Sequence, residues 1–378
     1  MTHALMLVPT GQGTGLTTAV LGVFHALERQ GIKVHFFKPI AQNADGDTSR
    51  DSSVEILRSS CLHDIAEPMS IRKVEHFVRT DRGDEVLEEL VKRYESNRAG
   101  DEEIVIIEGM VPTRSQPYAT RINQEVAKAL DAEVILVAAP GNDTLEEFQD
   151  HIDITARAYG GITNPKVVGC ILNMLGAPLD KDGKLCVDAL PTSAVSHNLN
   201  QDQILQNATL FNDGFKLLAC IPWRERMMAP RVSDMCQFLN AEVISHGQID
   251  SRRVHRITLC AQTVKHIVNE LTPGTLVFAP GDRDDIIMAV CLAALNGIDL
   301  AALVLTGGTK PDPAVLKLCH DAIATGLPLL SIEADIWQTA LSIPRFNSEV
   351  PSDDIERIEK IKGITASFID PNWLANLT

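Results

Sequence analysis

Short apolar runs alternate with amphipathic stretches from the first residues of the chain to about residue 335. Short apolar runs bounded by turn residues are typical of buried strands, and the stretches between them repeat apolar residues with helical spacing. The alternation predicts an α/β protein with mainly parallel sheets. In the first half it predicts strands for one doubly wound sheet: Ala4–Val8, Lys33–Phe37, Ile104–Glu108, Glu133–Ala138, Val167–Leu172 and Lys216–Ile221.

The second half repeats the alternation on a smaller scale, without an equal-length internal repeat. It therefore predicts a second, smaller and different α/β domain. The predicted strands are Val254–Ala261, Thr275–Ala279, Ala301–Leu305 and Pro328–Ile332, and the predicted helices are Asp285–Leu295 and Ala314–Ala324.

Three segments follow from this pattern: residues 1–223, residues 224–350, and a connecting helix with a frayed tail at 351–378. Asp353, with Glu356 three residues later, predicts the start of that helix. Inside the first segment, a polar stretch at 176–215 predicts a long excursion before the last strand, and such loops are either functional or mobile.

The net charge of −16, with 34 Lys and Arg against 50 Asp and Glu, argues against a nucleic-acid partner. No secretory signal pattern and no apolar run of about 20 residues is present, so we expect a cytoplasmic protein without a membrane partner.

The eight cysteines form no CxxC pair, and most lie in apolar runs, which predicts buried free thiols.

The stretch PTGQGTGLT, residues 9–17, connects the first strand to a helix and has the composition of a phosphate-binding loop. Such loops direct backbone N–H groups and a helix start at an anion, while glycines permit the backbone angles. The pattern G-x-x-x-x-G-K-[ST] is incomplete, because Thr10 replaces its first glycine and Leu16 replaces its lysine. Three interpretations remain open: a plain turn, anion binding without turnover, and nucleotide hydrolysis, which the loss of the lysine disfavours.

Two further stretches end predicted strands with charged residues. Lys38 follows the second strand and could partly replace the missing loop cation, while Glu108 ends the third strand, where an acid can hold Mg²⁺ directly or through water.

The stretches PTGQGTGLT, FKPI, EGMVPTR, ILNML and IPW, in this order, resemble the dethiobiotin synthetase-like, P-loop NTPase-like domain of long bacterial phosphate acetyltransferases. GDRDD and ALVLTGG in the second half look like the DRTGG domain that follows it. The resemblance covers essentially the whole chain. It implies a doubly wound α/β domain followed by a smaller α/β domain, in the N-terminal region of such an enzyme.

The resemblance also implies roles for single residues. Lys38 would approach a phosphate, Asn173 would recognise a base, and Asp51 and Glu108 would bind a metal. The alternative for Asp51, which lies in a hydrophilic loop, is that it is a solvated residue. The alternative for Asn173 is that its side chain forms hydrogen bonds with backbone groups. The complete set of cofactor-binding candidates is Thr10, Gly11, Gly13, Gly15, Thr17, Lys38 and Asn173.

In that family the transferase chemistry belongs to a C-terminal domain, and no candidate for it is found in this chain. The eleven histidines show no HxH or HExxH spacing, and no G-x-S-x-G elbow or paired-carboxylate motif occurs, so no catalytic residue is predicted.

We expect a regulatory and assembly region that forms a homo-oligomer and partners the transferase domain. By resemblance, its effectors are metabolites such as NADH, ATP, pyruvate or phosphoenolpyruvate, with a nucleotide and Mg²⁺ as possible ligands of the loop. The alternatives are a stand-alone ATP-dependent ligase or amidotransferase-like protein and a purely structural scaffold.

Overall fold

The structure is a computed structural model. It describes residues 3–42, 50–60, 65–80, 82–96, 104–177, 179, 199, 201–207, 209–224, 227, 229–346 and 349–377. The chain divides into two compact units, and the second, Glu225–Glu349, interrupts the first along the sequence. The first unit combines the N-terminal part of the chain, up to Arg224, with the C-terminal segment Val350–Thr378.

A six-stranded, all-parallel sheet forms the centre of the first unit, in the order β2-β3-β1-β4-β5-β6. Its inner strands are almost completely buried, as expected for a parallel sheet covered on both faces. The strands are β1 (His3–Pro9), β2 (Val34–Phe37), β3 (Ile104–Glu108), β4 (Glu133–Ala138), β5 (Val167–Leu175) and β6 (Lys216–Pro222).

The strand order creates a reversal at β1. The chain leaves β1 towards one edge of the sheet, and after β3 it crosses to β4 on the other side of β1. In doubly wound sheets ligands bind at the carboxyl ends of the strands beside such a reversal. The predicted α/β fold with a doubly wound parallel sheet is confirmed.

The helices of the first unit cover this sheet. Phe148 and Ile152 of one helix and Ile122 and Val126 of another belong to a large apolar core together with alternate residues of the strands. The helices are α1 (Leu16–Arg29), α2 (Ser52–Ser60), α3 (Ile71–Arg79), α4 (Gly83–Ser96), α5 (Ala119–Ala129), α6 (Leu145–Ala158) and α7 (Gln201–Asn207).

The second unit contains a smaller sheet in the order β7-β11-β10-β9-β8. Strands β8 to β11 are parallel, and β7 pairs antiparallel with β11 at the edge. Separate apolar clusters lie on its two faces. The elements are α8 (Val232–Leu239), β7 (Glu242–Ser245), β8 (Arg256–Leu259), α9 (Val264–Ile267), β9 (Thr275–Pro280), α10 (Asp284–Leu295), β10 (Ala302–Thr306), α11 (Pro313–Leu318), α12 (His320–Ala324), β11 (Leu329–Ser331) and α13 (Ile336–Ser342).

The C-terminal segment packs into the first unit through α14 (Ile355–Ala366) and α15 (Pro371–Ala375). Helix α14 lies on α1, where Gly22 leaves room for Thr365: a Cβ added at Gly22 would be 2.2 Å from Cγ2 of Thr365. The backbone N–H of Asp370 donates to Leu218 of β6 at 2.8 Å. The segment predicted as a connecting helix is therefore part of the first unit's packing.

Several local predictions were wrong. Asp354, not Asp353, caps α14 by accepting from the N–H of Arg357. The predicted frayed tail forms α15, because Asp370 caps it, Pro371 occupies its first turn, and Trp373 is buried.

Other elements differ from the sequence pattern in extent. The predicted helix 314–324 is interrupted at Cys319, and the antiparallel strand β7 and helices α2 to α4 were missed because their patterns are short or strongly polar. Most of the predicted excursion at 176–215 lies outside the described residues.

Within the described part of the chain, no helix combines the length and the apolar character needed to cross a membrane.

Candidate functional site

Four parts of the first unit converge at the carboxyl edge of its sheet. The glycine-rich loop follows β1, Lys38 follows β2, Glu108 ends β3, and Asn173 lies in β5. Because parallel strands end at one edge, residues far apart in sequence become neighbours there. Hydrogen bonds between the side chains of three of these parts show this directly.

The loop between β1 and α1 needs glycine at two positions. Gly13 and Gly15 have φ angles of +70° and +65°, in the left-handed region that side chains with a Cβ rarely adopt. Gly11 has no such angle, and a Cβ added there would meet nothing within 4 Å. The loop is anchored at its start by the N–H of Thr10, which donates to the carbonyl of Val137 at 2.9 Å.

Helix α1 begins without a side-chain cap, because its N-cap residue is Gly15. Within the described chain, the backbone N–H groups of residues 15–18 have no hydrogen-bond acceptor. Unpaired N–H groups at a helix start carry partial positive charge and suit an anion. Among the described residues, the loop thus combines left-handed glycines with a helix start whose N–H groups are unpaired.

The side chain that would complete a phosphate loop is replaced by a buried apolar one. Leu16 is only 4% exposed. Leu16, at the position of the usual lysine, is therefore packed inside the protein and supplies no charge.

Lys38 forms a buried ionic cluster with the two candidate metal ligands. Its Nζ lies 2.9 Å from Oε1 of Glu108 and 3.1 Å from Oδ1 of Asp51, and all three side chains are at most 5% exposed. We call these three residues the ionic triad. The resemblance implies that Lys38 approaches a phosphate. In the structure, its ammonium group is already paired with two carboxylates of the protein.

Two hydroxyl groups connect the ionic triad to the loop. Ser53 Oγ donates to Oε1 of Glu108 at 2.8 Å and accepts from Lys38 Nζ at 2.9 Å. Thr17 Oγ1 lies 2.8 Å from Ser53 Oγ and donates to the same Glu108 oxygen at 3.2 Å. The first turn of α1 is therefore hydrogen-bonded to the triad.

Sequence reasoning missed Ser53. The signal was the stretch DSSV at 51–54, in which an aspartate and two serines precede an apolar helical pattern, as at a helix start.

Asp51 stabilises the beginning of α2. Its Oδ1 accepts from the N–H groups of Ser53 and Val54 at 3.1 and 3.3 Å, and its Oδ2 accepts from the N–H of Gln42 at 3.0 Å. Asp51 is 2% exposed, so the alternative of a solvated loop residue is wrong. The Asx-type capping explains why a hydrophilic sequence places its aspartate inside the protein.

The charge state of Lys38 follows from its surroundings. Burial lowers the pKa of its ammonium group, but attraction and hydrogen bonds from Glu108 and Asp51 outweigh this, so the pKa lies above its ordinary value. Lys38 is therefore charged at neutral pH, and its favourable contribution to stability is lost only as pH rises beyond its ordinary pKa of 10.5.

The triad does not fit a divalent metal in its present arrangement. Mg²⁺ would need oxygens at about 2.0–2.1 Å. Oxygens of Asp51, Glu108 and Ser53 are available, but the Lys38 ammonium lies 2.9–3.1 Å from one oxygen of each. Among the described residues, no group of three or more His, Cys, Asp or Glu side chains could hold a metal ion.

Asn173 is engaged with the loop. Its side-chain Nδ2 donates to the carbonyls of Thr14 and Gly15 at 2.9 and 3.0 Å, and the residue is 2% exposed. Its amide N–H groups therefore position the loop instead of reading a base in this arrangement.

In the second unit, the two stretches that the sequence singled out lie after adjacent strands. GDRDD follows β9 and TGG ends β10, and the N–H of Gly281 donates to the carbonyl of Thr306 at 3.1 Å. Gly281 cannot carry a side chain, since its Cβ would be 2.0 Å from the carbonyl oxygen of Thr309. Arg283 is paired with Asp285 at the start of α10. The Gly281–Thr306 hydrogen bond holds the two loops together, and Asp282 and Asp285 are exposed beside it.

Comparison with solved structures finds two partial likenesses. MinD from Pyrococcus horikoshii, solved with Mg-ADP, aligns with 59% of this chain and 82% of its own at 17% identity and a TM-score of 0.34. The CBS and DRTGG regulatory region of Clostridium perfringens pyrophosphatase aligns with 35% of this chain and 54% of its own, at 17% identity and a TM-score of 0.28. Both TM-scores lie below 0.5.

Closer relatives are found among curated sequences. The phosphate acetyltransferase of Pseudomonas aeruginosa is 43% identical over 372 residues, which cover 98% of this chain and 51% of the relative. The phosphate acetyltransferase of Escherichia coli is 38% identical over 384 residues, which cover 100% of this chain and 53% of the relative. The chain therefore spans about half the length of these relatives.

Two family profiles match the chain in succession. The DRTGG domain matches residues 234–346. The AAA domain profile named AAA_26 matches residues 3–231, which is more than half of the chain. The protein therefore belongs to the AAA_26 family of AAA domains and carries a DRTGG domain after it.

Proposed function

We propose that this chain is the regulatory and assembly region of a phosphate acetyltransferase. The observation that carries the proposal is the pattern of similarity: relatives named phosphate acetyltransferase match 98–100% of this chain but only about half of their own length. The complete enzyme would exchange an acetyl group between coenzyme A and phosphate. The transferase chemistry would reside in the half of the relatives that this chain does not match.

The site supports a binding role over a catalytic one. The loop retains the glycines, and its N–H groups, unpaired among the described residues, suit an anion. It lacks the lysine that stabilises charge during phosphoryl transfer, and Lys38 is paired with two carboxylates. A loop of this kind can bind a phosphate-bearing metabolite without turning it over, which is the behaviour of a sensor.

The ligands we propose are small anionic metabolites, among them nucleotides such as NADH or ATP. The proposal includes assembly into a homo-oligomer in the cytoplasm, where acetyl-CoA is used. Leu16 and the ionic triad argue against a stand-alone ATP-dependent ligase, because such an enzyme must stabilise the charge on the transferred phosphoryl group.

Acetyl transfer from acetyl-CoA to phosphate tests the assignment. The 378-residue chain should show no rate above the uncatalysed background, whereas a full-length relative measured beside it is active. Calorimetric titration with NADH, ATP, pyruvate and phosphoenolpyruvate should detect binding of at least one of them. Acetyl transfer by the chain alone at a rate comparable to the relative's would contradict the assignment, and the absence of any binding would favour a purely structural scaffold.

A further inference from the structure

The ionic triad lies where a P-loop protein would hold its divalent cation. The oxygens of Thr17 and Glu108, next to the first turn of α1, are of the types that bind Mg²⁺ in such loops. Here the same Glu108 oxygen that faces Thr17 accepts from Lys38 at 2.9 Å. A metal ion bonded to this oxygen would lie close to the ammonium group, and the two cations would repel each other.

Burial and pairing hold Lys38 at this position. Lys38 is 5% exposed, and its ammonium group donates to Ser53 as well as to the carboxylates. Moving it away would leave a buried charge without a partner, which is strongly unfavourable. The single positive charge of Lys38 thus balances only one of the two negative charges of Asp51 and Glu108.

One carboxylate oxygen of the ionic triad has no hydrogen-bond partner among the described residues. Oε1 of Glu108 accepts from Thr17, Ser53 and Lys38, whereas Oε2 is buried and has no hydrogen-bond partner in the described structure. All three of these donors therefore use one oxygen of the carboxylate.

We propose that Lys38 is the resident cation of this loop and takes the place of a divalent metal. The proposal concerns the same loop as the proposed function, but it does not depend on which metabolite the loop senses. It predicts that the native protein has no Mg²⁺ site at Glu108 and that removing the ammonium group creates one.

Binding of Mn²⁺, used as a spectroscopic substitute for Mg²⁺, tests the proposal on the full chain. Free Mn²⁺ is measured by electron paramagnetic resonance for the native protein, Lys38→Met, and Lys38→Met combined with Glu108→Gln. The native protein should bind no Mn²⁺ at this position. Lys38→Met should gain one site, and adding Glu108→Gln should weaken that site about tenfold or more.

A matched control separates the triad from an ordinary surface pair. Lys310 pairs with Glu242 at 2.7 Å, but both side chains are more than 60% exposed. Lys310→Met should therefore gain no Mn²⁺ site, because hydrated surface carboxylates do not form a fixed ligand set. Thermal unfolding gives a second measurement, since MgCl₂ should raise the midpoint of Lys38→Met relative to EDTA and leave the native midpoint within about 1 °C.

Two results would overturn the proposal. One is a Mn²⁺ site in the native protein that Glu108→Gln weakens by about tenfold. The other is a folded Lys38→Met variant that gains no Mn²⁺ binding. If Lys38→Met does not fold, the comparison of the native protein with Glu108→Gln alone still decides, because that variant keeps the Lys38–Asp51 pair: equal Mn²⁺ binding by the two supports the proposal.

Discussion

The side-chain nitrogen of Asn173 lies 3.0 Å from the carbonyl oxygen of Gly15, and the same nitrogen would lie 2.4 Å from a Cβ atom added at Gly15. The two residues are separated by 158 positions in the sequence. Their contact joins the strand β5 to the end of the glycine-rich loop, so the loop's shape depends on both.

Gly15→Ala should therefore damage the loop in two ways. The alanine must adopt a left-handed φ of +65° and must displace Asn173. We expect a loss of about 1–3 kcal/mol in stability, seen as a drop of several degrees in the unfolding midpoint. Gly11→Ala is the matched control and should stay within about 0.5 kcal/mol of the native protein. Equal effects of the two substitutions would contradict the assigned loop geometry.

Leu16→Lys tests whether the loop's missing cation can be restored. Leu16 is 4% exposed, so the lysine would lose apolar burial and place a charge in a buried position. Without ligand we expect a destabilisation of about 2–4 kcal/mol, while Leu16→Met should cost less than about 1.5 kcal/mol. Differential scanning calorimetry measures both. Inorganic phosphate should stabilise Leu16→Lys more than the native protein, and a lysine variant with no gain in phosphate binding would favour the plain-turn interpretation.

Phosphate binding by the native loop should not require a divalent metal. The N–H groups at the start of α1 supply the donors, and Lys38 already supplies the cation beside Glu108. Inorganic phosphate should raise the unfolding midpoint equally in EDTA and in MgCl₂, and Gly15→Ala should reduce the rise. A rise that appears only with MgCl₂ would show that a metal takes part.

Gly22 and Gly363 are helix glycines with opposite surroundings. A Cβ at Gly22 would be 2.2 Å from Cγ2 of Thr365, whereas a Cβ at Gly363 would meet nothing within 4 Å. Gly363→Ala should stabilise the protein by about 0.5–1 kcal/mol through helix propensity. Gly22→Ala should destabilise it, because α14 must move away from α1. Limited proteolysis should cut the C-terminal segment faster in Gly22→Ala, and unchanged cutting would contradict the close packing of the two helices.

The buried thiols should react slowly and with an unusual pH dependence. Burial raises the pKa of Cys220 and of Cys260 to about 11, and that of Cys170 rises further. At pH 8 fewer of these thiols are ionised than in the unfolded chain, so alkylation by iodoacetamide should need unfolding. Mass spectrometry of peptides measures each rate. Labelling of the folded protein as fast as in urea would contradict the burial.

The same thiols predict the sign of a stability change at high pH. Their protonated forms are favoured in the folded state, so their contribution is fully present below the ordinary pKa of 9.0 and is lost as pH rises from there towards about 11. The unfolding midpoint should fall over this range, and replacement of Cys220 by Ala should make the fall smaller.

The strands could be predicted closely because their signal is local. Ile104–Glu108 and Glu133–Ala138 are short apolar runs whose ends coincide with the observed strands, as expected where both faces of a parallel sheet are buried. Polar segments such as α3 and α4 were missed, since few apolar residues mark their inner faces. The edge strand β7 is half-exposed and short, so its pattern does not differ from that of a loop.

The sequence by itself determined the approximate positions of the strands of the first sheet, the glycines at 13 and 15, and the absence of a lysine at position 16, because each depends on a residue and its immediate neighbours. Only the tertiary structure decided what the charged candidates do. Lys38 and Glu108 come together because β2 and β3 are neighbours in the sheet, and Asp51 joins them from the start of α2. Two carboxylates buried together need a positive charge, and the fold supplies it from within the protein.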